Sequence, residues 1–239
     1  DIEKLRAMIQ ESSNIVFFGG AGVSTESNIP DFRSEEGLYR TKYGAFPPET
    51  ILSHSFFVRH TEEFYSFYKE KMIYRDAKPN VAHLALAELE RRGKLKAVIT
   101  QNIDGLHQAA GSREVLELHG SVHRNHCMKC HRSYSLDDVL NNPEPIPRCE
   151  HCGGIIKPDV VLYEEGLDVK LLSKAVAYIR KAEMLIVGGT SLVVYPAAGL
   201  VEEYRGNKLV LLNKSATPYD KRADLVIHDS IGKVLQSVL

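Results

Sequence analysis

The chain has 239 residues, 44% apolar and 26% charged, and its 30 Lys and Arg against 31 Asp and Glu leave a formal net charge of −1. That length is ample for a hydrophobic core and sits between one and two domains. The even charge balance argues against a constitutive nucleic-acid binder, which carries a basic excess, and no apolar run approaches the roughly 20 residues that a membrane span needs.

Asp1-Ile2-Glu3-Lys4-Leu5-Arg6 reads as the charged opening of a helix rather than a signal peptide, so a cytoplasmic protein is expected. Short apolar runs follow at Ile15–Phe18, Ala97–Ile99, Val115–Leu118, Met184–Val187, Leu209–Leu212 and Leu225–Ile227. Each is β-branched or Leu-rich and bounded by polar residues or Gly, as for strands buried on both faces. Helical spacing appears at Val81, Leu84, Ala85 and Leu89 ahead of Arg91-Arg92-Gly93, and at Leu171, Leu172, Ala175, Val176 and Ile179 ahead of Arg180-Lys181. Alternation of this kind predicts right-handed βαβ units and a doubly wound, mostly parallel sheet, an α/β fold.

Two segments break the rhythm. Residues 31–80 hold most of the aromatics (Phe56, Phe57, Phe64, Tyr65, Phe67, Tyr68, Tyr74), and residues 121–155 are rich in Cys, His, Pro and Asn. Both read as insertions that together make a smaller module. The expected division is 1–30, 81–120 and 156–239 for the sheet domain, with 31–80 as the helical part and 121–155 as the metal-binding part of the small one.

All four cysteines lie in the second insertion, as Cys127-x-x-Cys130 and Cys149-x-x-Cys152 separated by eighteen residues. Two such knuckles place four thiolates at tetrahedral corners about 2.3 Å from one Zn²⁺. Two disulfides are the competing reading, disfavoured where no secretory signal is seen. His126, His131 and His151 flank the knuckles, but four Cys already fill the tetrahedron. A closed four-thiolate site has no position open to water, so a structural zinc is expected.

The run Ile15–Phe18 leads into Gly20-Ala21-Gly22-Val23-Ser24-Thr25, a Gly-x-Gly-x-x-Thr turn of the kind that lets backbone N–H groups approach a pyrophosphate. Thr25 stands where the usual fingerprint has a third Gly, and a tight strand–helix turn is the alternative. The other strand tips carry Thr100-Gln101-Asn102-Ile103-Asp104-Gly105, His119-Gly120, Gly188-Gly189-Thr190-Ser191 and Asn213-Lys214. Ligands of open α/β sheets bind outside the carboxyl ends of the strands, and these groups suit ribose hydroxyls, a carboxamide and one proton transfer. Imidazole is the usual general base near neutral pH, which singles out His119. His54, His60, His83 and His228 sit in helix-like or strand-end contexts suited to solvated or capping roles. His107 is not dismissed by position alone.

Gly20 through Arg33 (GAGVSTESNIPDFR), Thr100 through His107 (TQNIDGLH), Leu118-His119-Gly120, the paired C-x-x-C, Lys157 through Tyr163 (KPDVVLY) and Gly189 through Pro196 (GTSLVVYP) together resemble the sirtuins, NAD-dependent protein deacylases, across almost the whole chain. The likeness is to the short bacterial type. It implies a Rossmann-like sheet domain, NAD as co-substrate, and acylated-lysine proteins or peptides as substrates, with neither nucleic acid nor membrane as a partner. Position by position, it implies His119 as general base on a nicotinamide-ribose hydroxyl. Asn102 would hold the ribose and a water, Gln101 a ribose hydroxyl, and Ile103 and Asp104 the carboxamide. Gly20, Ala21, Gly22, Thr25 and Arg33 fall to the diphosphate and its ribose, and Phe32 to shielding the reacting face. Gly189, Thr190 and Ser191 fall to phosphate and ribose, Asn213 to the adenosine ribose, and Ser230 and Ile231 to the adenine edge. Val160, Val161, Leu162 and Tyr163 would pair with an extended substrate peptide.

Products would be the free lysine peptide, nicotinamide and O-acyl-ADP-ribose. The sequence departs from the family pattern at Asn28, where Gly is usual, and at Ser230, where many relatives have Asp. Tyr65 is followed three residues later by Tyr68, where relatives that remove acidic acyl groups have Arg. A preference for acetyl or other neutral acyl groups is therefore expected, with helical core packing as the plain alternative for these aromatics. Competing functions are a protein mono-ADP-ribosyltransferase, a non-catalytic NAD- and zinc-binding module, and a hydride-transfer dehydrogenase.

Overall fold

The computed structural model describes residues 1–33, 37–40 and 44–239; positions 34–36 and 41–43 of the expected small module lie outside them. In chain order the elements are α1 (Ile2–Glu11), β1 (Ile15–Gly19), α2 (Pro48–Ile51), α3 (His54–Arg59), α4 (Thr61–Lys71), α5 (Val81–Arg91), β2 (Leu95–Thr100), α6 (Leu106–Ala109), β3 (Val115–Glu117), β4 (Gly120–Cys127), β5 (Ser133–Tyr134), α7 (Leu136–Leu140), β6 (Ile156–Val160), α8 (Val169–Lys181), β7 (Met184–Gly188), β8 (Leu209–Leu212), β9 (Leu225–Ile227) and α9 (Ile231–Ser237). Short 3₁₀ turns occupy Ala21–Val23, Thr25–Ser27, Leu38–Arg40, Ala197–Glu203 and Asp220–Arg222.

All six expected strands form, and they pair in parallel in the order β3-β2-β1-β7-β8-β9. The period-2 geometry of a strand divides their side chains between two cores. Ile15, Phe17, Met184, Ile186, Val210 and Leu212 face α1, α5 and α9. Val16, Phe18, Leu185, Val187, Leu209 and Leu211 face α8 and the 197–203 turn. The chain winds outward from β1 to β3, returns to β7 beside β1, and winds outward again to β9. Strand order therefore reverses between β1 and β7, and a crevice is expected at the carboxyl ends there.

The helices start and stop where their caps dictate. The Asp168 carboxylate accepts from the backbone N–H groups of Lys170 and Leu171 at the start of α8, and Arg180-Lys181 close it. The Lys94 ammonium donates to the carbonyls of Ile9, Gln10 and Ser12, meeting orphan acceptors at the end of α1.

A second, three-stranded antiparallel sheet, β5-β4-β6, carries the cysteine segment. Its apolar side joins the aromatic helices in a third core: Phe56, Phe57, Phe64, Tyr65, Phe67 and Tyr68 pack with Val122, Val139, Ile156 and Val160. The two insertions thus share one interior. β6 pairs with β4 rather than with the large sheet, so the expected boundary at 155/156 falls inside the small sheet.

Asn28 ends the Thr25–Ser27 turn at φ 64°, ψ 28°, the left-handed conformation that Asn tolerates better than other side chains. Asn28→Gly should leave stability nearly unchanged. Asn28→Val should cost about 1–2 kcal/mol in urea unfolding, because a β-branched side chain is strained at positive φ.

Candidate active site

One cavity of about 920 Å³ runs over the carboxyl ends of β1, β2, β7 and β8 and along the small sheet. The Gly-rich turn forms its floor because two backbones touch there. The Gly22 N–H donates to Gly189 O at 2.8 Å, and a Cβ on Gly22 would stand 2.7 Å from the Gly189 Cα. No larger residue fits either place, and the close approach leaves the tips of β1 and β7 open to a ligand. Gln101 bridges the same tips, its Nε2 donating to Thr190 Oγ1 at 3.0 Å.

His119 follows β3 and stands half-buried at the cavity wall. Its Nδ1 lies 3.1 Å from Gln101 O. A carbonyl only accepts, so Nδ1 carries the hydrogen and Nε2 holds a free lone pair. Burial lowers the imidazole pKa, opposed by the bond to Gln101. The ring is therefore neutral near pH 7, the form a general base requires.

Asn102, beside it, donates from Nδ2 to Gly20 O at 2.9 Å and from its backbone N–H to Thr100 Oγ1 at 3.0 Å. Asp104 accepts the Leu106 N–H on Oδ1 and the Ser24 hydroxyl on Oδ2, at 2.9 and 2.6 Å. Phe32 packs its ring on Tyr39 at 5.3 Å, and the Arg33 guanidinium sits 5.4 Å over the same ring. The Tyr39 and Tyr163 hydroxyls are hydrogen-bonded, tying the loop of Phe32 and Arg33 to the segment after β6.

That segment leaves β6 beside the histidine. The Val161 N–H donates to His119 O at 2.9 Å, the Tyr163 N–H to Leu52 O, and the His54 N–H to Tyr163 O. Glu165 accepts the Leu162 N–H and meets Lys157 and His54. Val160 to Tyr163 all line the cavity.

Apart from Ser230, the remaining residues expected to meet NAD also line it: Gly20, Ala21, Gly22, Thr25, Phe32, Arg33, Gln101, Asn102, Ile103, Asp104, His119, Gly189, Thr190, Ser191, Asn213 and Ile231. Ser230 does not. Its hydroxyl is bonded to the Glu26 carboxylate, and it is Asp229, Ile231 and Glu26 that reach the cavity. Sequence reasoning passed over Ser24 and Glu26; Ser24 sits inside the glycine motif, and its position in that motif was the only available signal. Tyr65 and Tyr68 are fully buried outside the cavity, Tyr65 donating to Ile156 O, so core packing accounts for them.

The four cysteine sulfurs lie within 4.8 Å of one another, with Cys127 and Cys152 Sγ 3.4 Å apart and Cys130 and Cys149 Sγ 3.6 Å apart. Tetrahedral bonds of 2.3 Å require sulfurs about 3.8 Å apart, and a disulfide requires about 2.05 Å. The set fits Zn²⁺. The N–H groups of Lys129 and Cys130 donate to Cys127 Sγ, and the Tyr134 hydroxyl to Cys149 Sγ, as suits thiolate acceptors.

His107 is buried between Phe17 and His83. Burial pushes its pKa down to about 3, against about 6.5 in an unfolded chain. Between those values the unfolded chain binds a proton that the folded one refuses, so stability falls as pH drops from about 6.5 toward 3, by up to about 1.4 kcal/mol per pH unit. Urea midpoints measured at pH 7.5 and 5 should accordingly draw together in His107→Leu.

Fold and cavity define a dinucleotide-binding α/β protein whose small unit lays a cavity-lining segment, Val160 to Tyr163, beside a neutral histidine. Among the described residues no helix is long and apolar enough to cross a membrane. Residues 20–196 match the model of the Sir2 family. The chain is 64% identical to an NAD-dependent protein deacetylase of Clostridium acetobutylicum, over 100% of this chain and 98% of that one. A Staphylococcus aureus protein of the same name is 45% identical over 100% and 98%. The fold superposes on a solved complex of Sir2 with a p53 peptide and NAD⁺ at a TM-score of 0.90, 39% identity, and 100% and 97% coverage. A second neighbour, bound to a propionylated peptide, gives 0.88, 39%, and 100% and 97%. The chain belongs to the Sir2 family.

Proposed function

We propose that this chain is an NAD-dependent protein-lysine deacetylase that accepts acetyl and other neutral acyl groups. The observation that carries the reading is His119, neutral, with Nε2 unengaged, in a cavity that runs from the glycine turn to the Val160–Tyr163 segment. NAD would supply a ribose carbon from which nicotinamide departs and, beside it, a ribose hydroxyl oxygen that would take the acyl group, giving O-acyl-ADP-ribose and the free lysine.

The chain's residues do the rest. Gly20, Ala21, Gly22, Thr25 and Arg33 hold the diphosphate and its ribose, with Gly189, Thr190 and Ser191 opposite. Asn213 and Ile231 hold the adenosine over β7 to β9. Gln101 and Asn102 fix the ribose next to His119, and Ile103 and Asp104 hold the carboxamide. His119 takes a ribose hydroxyl proton on Nε2, and Phe32 keeps water from the reacting face. Val160 to Tyr163 pair with the peptide backbone, which leaves recognition to main-chain bonds. The large unit serves the dinucleotide, the small one places the peptide, and the Cys127, Cys130, Cys149 and Cys152 site holds a structural zinc. Four free thiols grouped for a metal suit a reducing compartment and support a cytoplasmic location.

The test is a panel of acyl-lysine peptides read by mass with and without NAD. Acetyl and propionyl peptides should lose their acyl groups only with NAD, with succinyl peptide at least tenfold slower. Equal succinyl turnover would overturn the acyl preference, and label from NAD retained on protein would favour ADP-ribosyl transfer.

A further inference from the structure

His83 lies on α5 and is completely buried, outside the cavity. Its Nδ1 accepts the backbone N–H of Asn80 at 3.1 Å. An accepting Nδ1 leaves the ring hydrogen on Nε2, and Nε2 faces Ser24 Oγ at 3.4 Å, the long end of hydrogen bonding. The Asn102 amide nitrogen approaches the same oxygen at 3.3 Å. With two N–H groups aimed at its lone pairs, the Ser24 hydroxyl has one direction left for its hydrogen. It points at Asp104 Oδ2, 2.6 Å away.

Asn80 also ties this relay to the glycine turn. Its Nδ2 donates to Val23 O at 2.8 Å and to Ser27 Oγ at 2.9 Å, while its Oδ1 caps α5 through the Ala82 N–H. The His107 ring packs edge-on against His83, centroids 4.9 Å apart.

We propose that His83 is a positioning residue for the carboxamide end of the dinucleotide site: through Ser24 it orients Asp104, the side chain assigned to grip the nicotinamide. The assignment of Asp104 rests on the proposed function; the relay itself rests on the chain of hydrogen bonds. His83 touches neither substrate, so its loss should appear in the binding of nicotinamide and NAD and not in that of the peptide.

The experiment uses the full zinc-loaded chain. Nicotinamide and NAD binding are measured by calorimetry, and deacetylation of an acetyl-lysine peptide is measured alongside, for wild type, His83→Leu, His83→Gln, Ser24→Ala and the Ser24→Ala, His83→Leu pair. His83→Leu should weaken nicotinamide binding and raise the KM for NAD about tenfold, with the peptide KM unchanged. His83→Gln, which keeps an N–H near the Nε2 position, should recover to within about threefold. In the Ser24→Ala background His83→Leu should add nothing, since the relay is already cut.

Unchanged nicotinamide binding in His83→Leu overturns the proposal, as does an undiminished effect when Ser24 is absent. A wild type that binds nicotinamide His83-dependently but never deacetylates would sink the functional reading and keep the relay. A wild type that binds neither ligand overturns both. If His83→Leu does not fold, the ¹⁵N shifts of His83 in the wild type decide: the Nε2–H tautomer supports the relay, and the Nδ1–H tautomer removes it.

Discussion

His119→Ala should reduce nicotinamide release from an acetylated peptide by at least about 10²-fold, the low end of what a general base contributes. Folding and NAD binding should be nearly unaffected. His119 anchors to the fold mainly through its backbone, whose carbonyl accepts from Val161, and its ring makes a single hydrogen bond to Gln101 O. The loss should fall on kcat rather than on the KM for NAD, since Nε2 is needed only as the proton moves. His119→Gln keeps a polar group without a base near neutral pH and should be as inactive. Nicotinamide release that survives either change would move the base elsewhere. The pH profile follows from the lowered pKa: the ring must be neutral, so activity should rise with pH up to a value below the usual histidine range and then level, as far as this group decides.

Removal of zinc should have the largest effect on stability. Structural zinc in small metal-binding folds is worth about 10–16 kcal/mol of apparent binding free energy near pH 7, so it is folding free energy for the segment that holds it. Here that segment is the β5-β4-β6 sheet, whose inner face supplies Val122, Ile156 and Val160 to the aromatic core. A strong chelator, or Cys130→Ser, should lower the melting temperature by more than about 10 °C, and metal analysis should return one zinc per chain. Activity should fall with it, although no zinc ligand is near the chemistry. His119 directly precedes β4 and Cys127 ends it; the two ends of β4 pair with Val160 and Ile156, four residues apart on β6, or about 13 Å. The metal then acts on the base only by holding that strand. A metal-free preparation with unchanged melting would contradict this.

The large sheet was legible because its strands are buried on both faces, and such strands announce themselves as short apolar runs between polar stops. The site was legible for a related reason: polar and glycine residues at the ends of those runs converge wherever a parallel sheet reverses its strand order. The small sheet was not. β4 reads Gly-Ser-Val-His-Arg-Asn-His-Cys, with the consecutive residues His123 and Arg124 exposed where its register against β6 breaks between Ser121 and Asn125, so neither alternation nor an apolar run marks it. β6 was not recognised as a strand, because Ile156–Val160 contains a proline and partners a strand that was itself unseen, so the expected boundary at 155/156 cut across the small sheet. Ser230 turned to Glu26, more than 200 positions away in sequence. His83 caps the start of α5, as its helix-like context suggested, but its second nitrogen also reaches Ser24 across 59 positions. No local pattern encodes such partners. Tyr65 and Tyr68 had the spacing of a specificity pair, but the face of α4 that carries them is turned into the core.

The bond from Val161 to His119 has a consequence for what the enzyme measures. If the substrate peptide lies along Val160–Tyr163 as proposed, its backbone is held at a set height from His119, because that segment and His119 share one hydrogen bond. Such an arrangement is a gauge. It tolerates varied neighbours along the peptide but tests the length of the arm that reaches inward, and an acylated side chain one methylene shorter than lysine stops about 1.3 Å short of the reacting carbon, where a 1 Å misplacement already costs about 100-fold.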